Sequence, residues 1–368
     1  MERINNIQNI AKGLLICSVV FFHSNICIDY SVLYNFNIFF LIFPCVIGVF
    51  FFYSGYNYKP QKRTKKESIK KRTKQLLLPL LIIWVLATIL VVPLLRLTNS
   101  ATLDSIKQSY EYVALSEPWA MMNGMDISTC NFDLILCIQS GWFLYTLWIV
   151  SCIFYLIVDY VNEKISRHII TVAILLFIAF LMGKYMGTYL PFAVNCYPVV
   201  LAIMLTAAYL KERNFLDKEE STAIKCTKVI AFELIIVLIA TICYLFFGSN
   251  IVGSLKGGGF DNTITGFDAY IAYIFAILGT FIIHSISKLI SKIPLISSFF
   301  EKFGENSAFV YITHGIVISY IDTLIFHRNH ELLSSKLLTI VYLAIALVIY
   351  MILFRILKRG KMKNEQRN

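Results

Sequence analysis

The chain is built from runs of about twenty apolar residues joined by short, basic connections, and few folds accommodate that pattern. Leu76 to Leu95 and Phe232 to Phe247 are the plainest cases. A helix needs about 20 mostly apolar residues to cross the hydrocarbon core of a bilayer. A soluble core has no use for so many segments of that length. Hydrophobic residues make up 58% of the chain and charged residues 15%, against roughly 45–50% and about 25% in ordinary soluble domains. The expected fold class is therefore an all-α integral membrane protein forming one membrane domain over residues 1–368.

Hydropathy predicts ten spans, at about 8–28, 38–57, 76–97, 141–160, 168–185, 192–210, 229–248, 268–289, 306–326 and 337–357, with a basic tail over 358–368. Charge tests the count, because the cytoplasmic loops of membrane proteins are enriched in Lys and Arg. With the amino terminus inside, the cytoplasmic side holds Arg3, Lys12, nine basic residues between Lys59 and Lys74, and most of those in every second later connection. In all, 27 of the 33 Lys and Arg fall there. The other side holds only Arg96, Lys107, Lys184, Lys256, Arg328 and Lys336. The bias holds loop by loop and predicts both termini in the cytoplasm. The formal charge of +11 thus speaks for orientation and contact with anionic lipid, not for nucleic acid.

The first apolar run reads as an uncleaved helix, since Lys12 interrupts it and no small-residue cleavage pattern follows Ile28. The inner stretch Gln61 to Gln75 predicts a basic helix along the membrane surface. The outer loop at 98–140 is long enough to fold as a small lid. Most cysteines lie in apolar runs, where a thiol behaves as a small hydrophobe. Cys130 and Cys137 are too far apart to bridge if their segment is helical. No Cys/His spacing suggests a metal. Gly257, Gly258 and Gly259 lack the Lys-Ser/Thr of a phosphate loop and read as a flexible connection.

Ionisable residues inside membrane spans are rare and default to a functional reading. Lys12 and His23 stand out. Eleven residues at about 100° each end within about 20° of three full turns, so the two share one helix face, roughly 16 Å apart along the axis. This arrangement suits a long ligand, anionic at one end and reactive at the other, with an imidazole positioned to take a proton. It is equally served by a His bonded to a neighbouring helix and a Lys reaching to the interface. Asp322 and Glu233 are further intramembrane acids without a motif.

Local sequence adds to the spacing. Asn9 to Ser24, with a basic residue, ten intervening residues and a histidine, resembles the opening helix of acyltransferase family 3, the integral membrane O-acyltransferases. GVFFFYSGY (Gly48 to Tyr56), KKRTKQLLLPLLIIW (Lys70 to Trp84), GWFLYTLWIV (Gly141 to Val150) and FGENSAFVYITHG (Phe303 to Gly315) are similar to later segments of that family, in the right order. The chain departs from the pattern at Asn9, where many members carry Asp.

The resemblance implies a catalytic His23 and donor-binding Lys12 and Arg72. It also implies a cavity lined by Ser54, Gly55, Tyr56, Trp142, Tyr311 and His314. Trp142 serves either as a sugar-stacking ring or as an interfacial anchor. His314 serves either as a second polar group of the cavity or as a structural hydrogen-bond partner. The implied activity is O-acetyl transfer from acetyl-coenzyme A, with no permanently bound cofactor and no metal. The acceptor is a carbohydrate hydroxyl on a cell-surface polysaccharide or its lipid-linked precursor, in a bacterial inner membrane and alongside polysaccharide-assembly proteins. The alternative from another class is an exporter or flippase of such a sugar. The Lys12–His23 pair favours the enzyme, because a pure exporter has no evident need for both.

Overall fold

Lipid offers no hydrogen-bond partner to the backbone, so apolar runs of this length satisfy their own amides and carbonyls as helices. The computed structural model describes residues 2–28, 46–59, 64–98, 101–115, 130–186 except Ser140, 191–216 except Asn214, parts of 221–238, 268–325 and 335–365. All regular structure among them is helical. In chain order the elements are α1 (Glu2–Ile28), α2 (Val46–Tyr56), α3 (Lys65–Leu97), α4 (Leu103–Leu115), α5 (Phe132–Gln139), α6 (Gly141–Asn162) and α7 (Ile165–Met186). After a 3₁₀ segment at Pro191–Cys196 come α8 (Tyr197–Glu212), α9 (Asp268–Ile290), α10 (Pro294–Glu305), α11 (Ser307–Tyr320) and α12 (Ser335–Glu365).

Eight helices among the described residues are long and apolar enough to cross a membrane, and α2 is a shorter apolar one. These eight match eight of the ten expected spans. The expected span at 38–57 is described only from Val46 onward, and the one at 229–248 lies largely outside the described residues. Gly257 to Gly259, Glu233 and the loop histidines His327 and His330 also lie outside them.

Burial sorts the helices by role. The α1 span is 72% buried within the protein, whereas the spans of α7 and α3 are 17% and 22% buried. On α3, Leu78, Leu81, Ile82, Val85 and Ile89 are exposed, a stripe at helical spacing that faces lipid. By contrast α1 is enclosed by α2, α9, α10, α11 and α12. Its own apolar face cannot drive that enclosure, since lipid is as apolar as its neighbours. Close backbone packing at small residues can. A Cβ at Gly13 would fall 1.9 Å from the carbonyl oxygen of Phe300, and one at Gly304 would fall 1.7 Å from that of Asn9. Helices α1 and α10 therefore cross in backbone contact, through a glycine from each. Nothing in the apolar pattern predicts α10, which occupies a connection between spans.

One sequence expectation needs correction. The basic stretch at 61–75 is not a separate surface helix; from Lys65 it forms the first turns of α3. The reason is local. Thr64 caps the helix by accepting from the Glu67 amide at 3.3 Å, while the Glu67 carboxylate accepts from the Thr64 amide at 2.9 Å. This reciprocal capping box starts the helix, which then continues through Pro79 and a π-helical turn at Ala87–Val91. The 98–140 loop does carry helices, and Tyr112 of α4 packs on Ile135 of α5. No disulfide joins Cys130 to Cys137.

Candidate active site

Where α1, α2, α3, α6 and α11 meet at the end of the bundle that carries the basic connections, they enclose a cavity of about 820 Å³. Lys12, Lys59, Lys71 and Arg72 line it, and no Asp or Glu does so among the described residues. Lys12 and Arg72 are near enough to repel one another. Like charges that share a part-enclosed site without a counter-ion are costly unless an anion joins them. This site has the electrostatics of an anion receptor.

Arg72 is held in place. Its Nε donates to the Ser151 hydroxyl at 3.3 Å and its Nη2 to the Ser54 hydroxyl, so α2, α3 and α6 all meet at one guanidinium. Next to it, the Trp148 indole donates to the Thr73 hydroxyl at 2.9 Å. At the cavity rim the Tyr58 hydroxyl donates to Asp159 at 2.9 Å, and the Lys65 ammonium lies 3.6 Å from the same carboxylate. Burial first, and then the Asp159 carboxylate, push the Tyr58 phenol above its ordinary pKa, so it serves as a neutral donor.

Phe143 and Tyr311 form one wall of the cavity, with ring centroids 5.0 Å apart. Beyond Tyr311 comes His314 at 5.7 Å, and beyond that His23, with ring centroids 4.6 Å apart. Each imidazole is fixed by its own helix. His23 Nδ1 lies 2.9 Å from the Val19 carbonyl and His314 Nδ1 lies 2.7 Å from the Tyr311 carbonyl. A carbonyl only accepts, so Nδ1 carries the hydrogen in both rings and each Nε2 presents a lone pair. The Nε2 of His314 is buried and has no hydrogen-bond partner among the described residues. An unsatisfied buried acceptor costs about 1–3 kcal/mol, and such a group calls for an explanation.

The sequence-predicted residues are thus partly gathered. Lys12, Arg72, Ser54 and Tyr311 line the cavity, while His23 and His314 pair behind it. Neither imidazole bonds a neighbouring helix among the described residues. Gly55 and Tyr56 do not line the cavity. A Cβ at Gly55 would fall 2.3 Å from the Met204 carbonyl oxygen, so this face of α2 is pressed on α8 and Ser54 takes the other face. The Tyr56 ring stacks on Phe52 at 5.9 Å and sits under the Lys211 ammonium at 5.5 Å. Trp142 is outside the lining too, packing on the core edge-on to Phe143.

A family model described as an acyltransferase domain matches residues 7–355. The chain belongs to acyltransferase family 3. No curated protein and no solved structure matches it. The matched region contains every described residue that lines the cavity and both imidazoles, so this multi-pass membrane acyltransferase keeps its chemistry-bearing side chains within the family's domain.

Sequence reasoning missed Lys59, Lys71, Tyr155 and Tyr53 as lining residues of the acyltransferase. The two lysines lie in a basic stretch where only the rotation of α3 and the packing of α2 decide which charges face inward. Tyr53 carries a third histidine, His284, with it. His284 Nε2 donates to the Leu216 carbonyl at 3.1 Å, which leaves Nδ1 to accept from the Tyr53 hydroxyl at 3.4 Å. No local signal could have paired α2 with α9.

Proposed function

We propose that this acyltransferase takes an acetyl group from acetyl-coenzyme A on the cytoplasmic side and esterifies a carbohydrate hydroxyl with it. The acceptor is a cell-surface polysaccharide or its lipid-linked precursor, and the setting is the cytoplasmic membrane of a bacterium. Ten spans with both termini inside belong to the same reading, since that arrangement puts the basic connections and the cavity mouth on the donor's side.

The observation that carries it is a cavity with four cations and no carboxylate among its described lining residues, whose wall at Tyr311 leads to a pair of imidazoles. Coenzyme A thioesters are anionic at the nucleotide end and reactive at the end of a long pantetheine arm. Lys12 and Arg72, with Lys59 and Lys71 nearer the rim, hold the phosphates by charge-assisted hydrogen bonds. Roughly 16 Å further along α1, His23 Nε2 takes the proton of the acceptor hydroxyl as its oxygen attacks the thioester carbonyl. Enclosure within the bundle keeps water from the thioester.

The test is transfer of labelled acetyl from acetyl-coenzyme A to endogenous glycan in membranes carrying wild-type protein or His23→Ala at equal expression. Label incorporated by the wild type and lost in the variant is the expected result. Equal incorporation in both removes His23 from the reaction. No label in either, with the native glycan present, rejects acetyl transfer to glycan and turns attention to export of the sugar.

A further inference from the structure

The acyl-transfer reading gives His23 a task and leaves His314 without one, although His314 is fully buried and its Nε2 has no partner among the described residues. The two rings are 4.6 Å apart between centroids, tilted at 58°, so the imidazoles pack directly against one another. In the resting tautomers both Nε2 atoms are acceptors, so they cannot bond one another. A single added proton changes that, because a hydrogen on one Nε2 has the other Nε2 to receive it. Among the described residues, the only titratable side chains in contact with either ring are the other imidazole and Tyr311. No carboxylate among them stands behind His23; its Nδ1–H goes to the Val19 carbonyl. Among the described residues the charge that forms on His23 during the reaction therefore meets no acidic counter-ion, and the imidazole packed against it, His314, offers an open lone pair.

We infer that His314 is the second proton site of the reaction, the residue that shares with His23 the proton taken from the acceptor. This rests on the acyl-transfer reading above. As the acceptor oxygen bonds to the thioester carbonyl carbon, its O–H bond breaks and the proton moves to His23 Nε2. The His23 Nε2–H then donates to His314 Nε2, so the two rings hold one proton between them. When the C–S bond breaks, the departing thiolate takes that proton and leaves as the free thiol. No proton is consumed overall, and both imidazoles return to their resting tautomers. On this account the uncompensated acceptor in the resting protein is satisfied only during turnover, which is where binding energy accelerates a reaction.

The experiment compares purified wild type, His314→Phe and His314→Gln, assayed for acyl transfer and for coenzyme A binding by calorimetry. Phenylalanine keeps the ring volume without an acceptor, and glutamine places an amide oxygen near the position of Nε2. His314→Phe is expected to lower kcat about 100-fold, the lower range for loss of a group in proton transfer. The KM for the donor and coenzyme A affinity should hold. His314→Gln is expected to recover about tenfold of that loss, since it can receive the hydrogen bond but cannot carry the proton. Wild-type kcat in both variants, or equal loss in both with coenzyme A binding also lost, overturns the inference and leaves His314 a packing residue. A wild type that moves no acyl group from any coenzyme A thioester fails the underlying reading as well, so the two failures are distinguishable.

Discussion

Arg72 shows how a single side chain ties the packing of this protein to its chemistry. Its guanidinium donates to Ser54 on α2 and Ser151 on α6, and those bonds hold it within a cavity that contains Lys12, Lys59 and Lys71 as well. A hydrogen bond to a charged group contributes about 1.5–3 kcal/mol, and each 1.4 kcal/mol is a factor of ten in affinity. Arg72→Ala is therefore expected to raise the KM for the acyl donor about 10- to 100-fold, a loss that steady-state kinetics at varied donor reads directly. Arg72→Lys should recover only part of it, because an ammonium is a point charge and lacks the planar fork that meets two hydroxyls and a phosphate together. Unchanged donor KM in both variants would place the phosphate site elsewhere.

At the scale of elements, the α1–α10 crossing sets the position of Lys12. Gly13 follows Lys12 directly, and Gly304 rests on the backbone of Asn9, one turn earlier. Because the atoms that a methyl would meet are backbone, neither helix can give way by turning a side chain. Gly304→Ala is expected to destabilise by about 1–3 kcal/mol, the usual cost of overpacking. It should also weaken coenzyme A binding, since α1 must move with Lys12 on it. Gly141→Ala is the control. There the added Cβ would meet a side-chain atom, Leu80 Cδ1, at 2.5 Å, and a leucine can change rotamer. Thermal unfolding in detergent should show a lowered midpoint for the first variant and a near-native one for the second. The reverse order would contradict the crossing.

For the whole molecule, the testable statement is which connections share a side. With the nine native cysteines replaced, single cysteines at Lys66 and Lys228 should react with an impermeant maleimide from one side of the membrane. Cysteines at Glu111 and Lys256 should react from the other. Lys228 and Lys256 flank the expected span at 229–248, so labelling of both from the same side would remove that span and reduce the count. The expected outcome is labelling from opposite sides.

The expected topology comes from sequence because it depends on local quantities. Length and apolarity place a run across the bilayer, Lys and Arg orient it, and a helical repeat puts Lys12 and His23 on one face. The eight long spans were readable on those grounds, as was the membership of Lys12, Arg72, Ser54 and Tyr311 in one cavity through family resemblance. The choice between neighbouring positions was not. Ser54 lines the cavity while Gly55 and Tyr56 do not, because α2 presses one face on the Met204 backbone. Nor could an apolar run announce that it would be interior: α9 and α7 are close in mean hydropathy, at 1.9 and 2.2, yet one span is 61% buried and the other 17%. In lipid, apolarity does not distinguish a neighbouring helix from an acyl chain. Backbone contact at Gly13 and Gly304 draws α10 onto α1, and α11 packs beside it. Only that packing sets His314 against His23. Sequence by itself determined that this protein is built from membrane-length apolar helices and which residues carry charge within them; tertiary structure alone decided which of them meet.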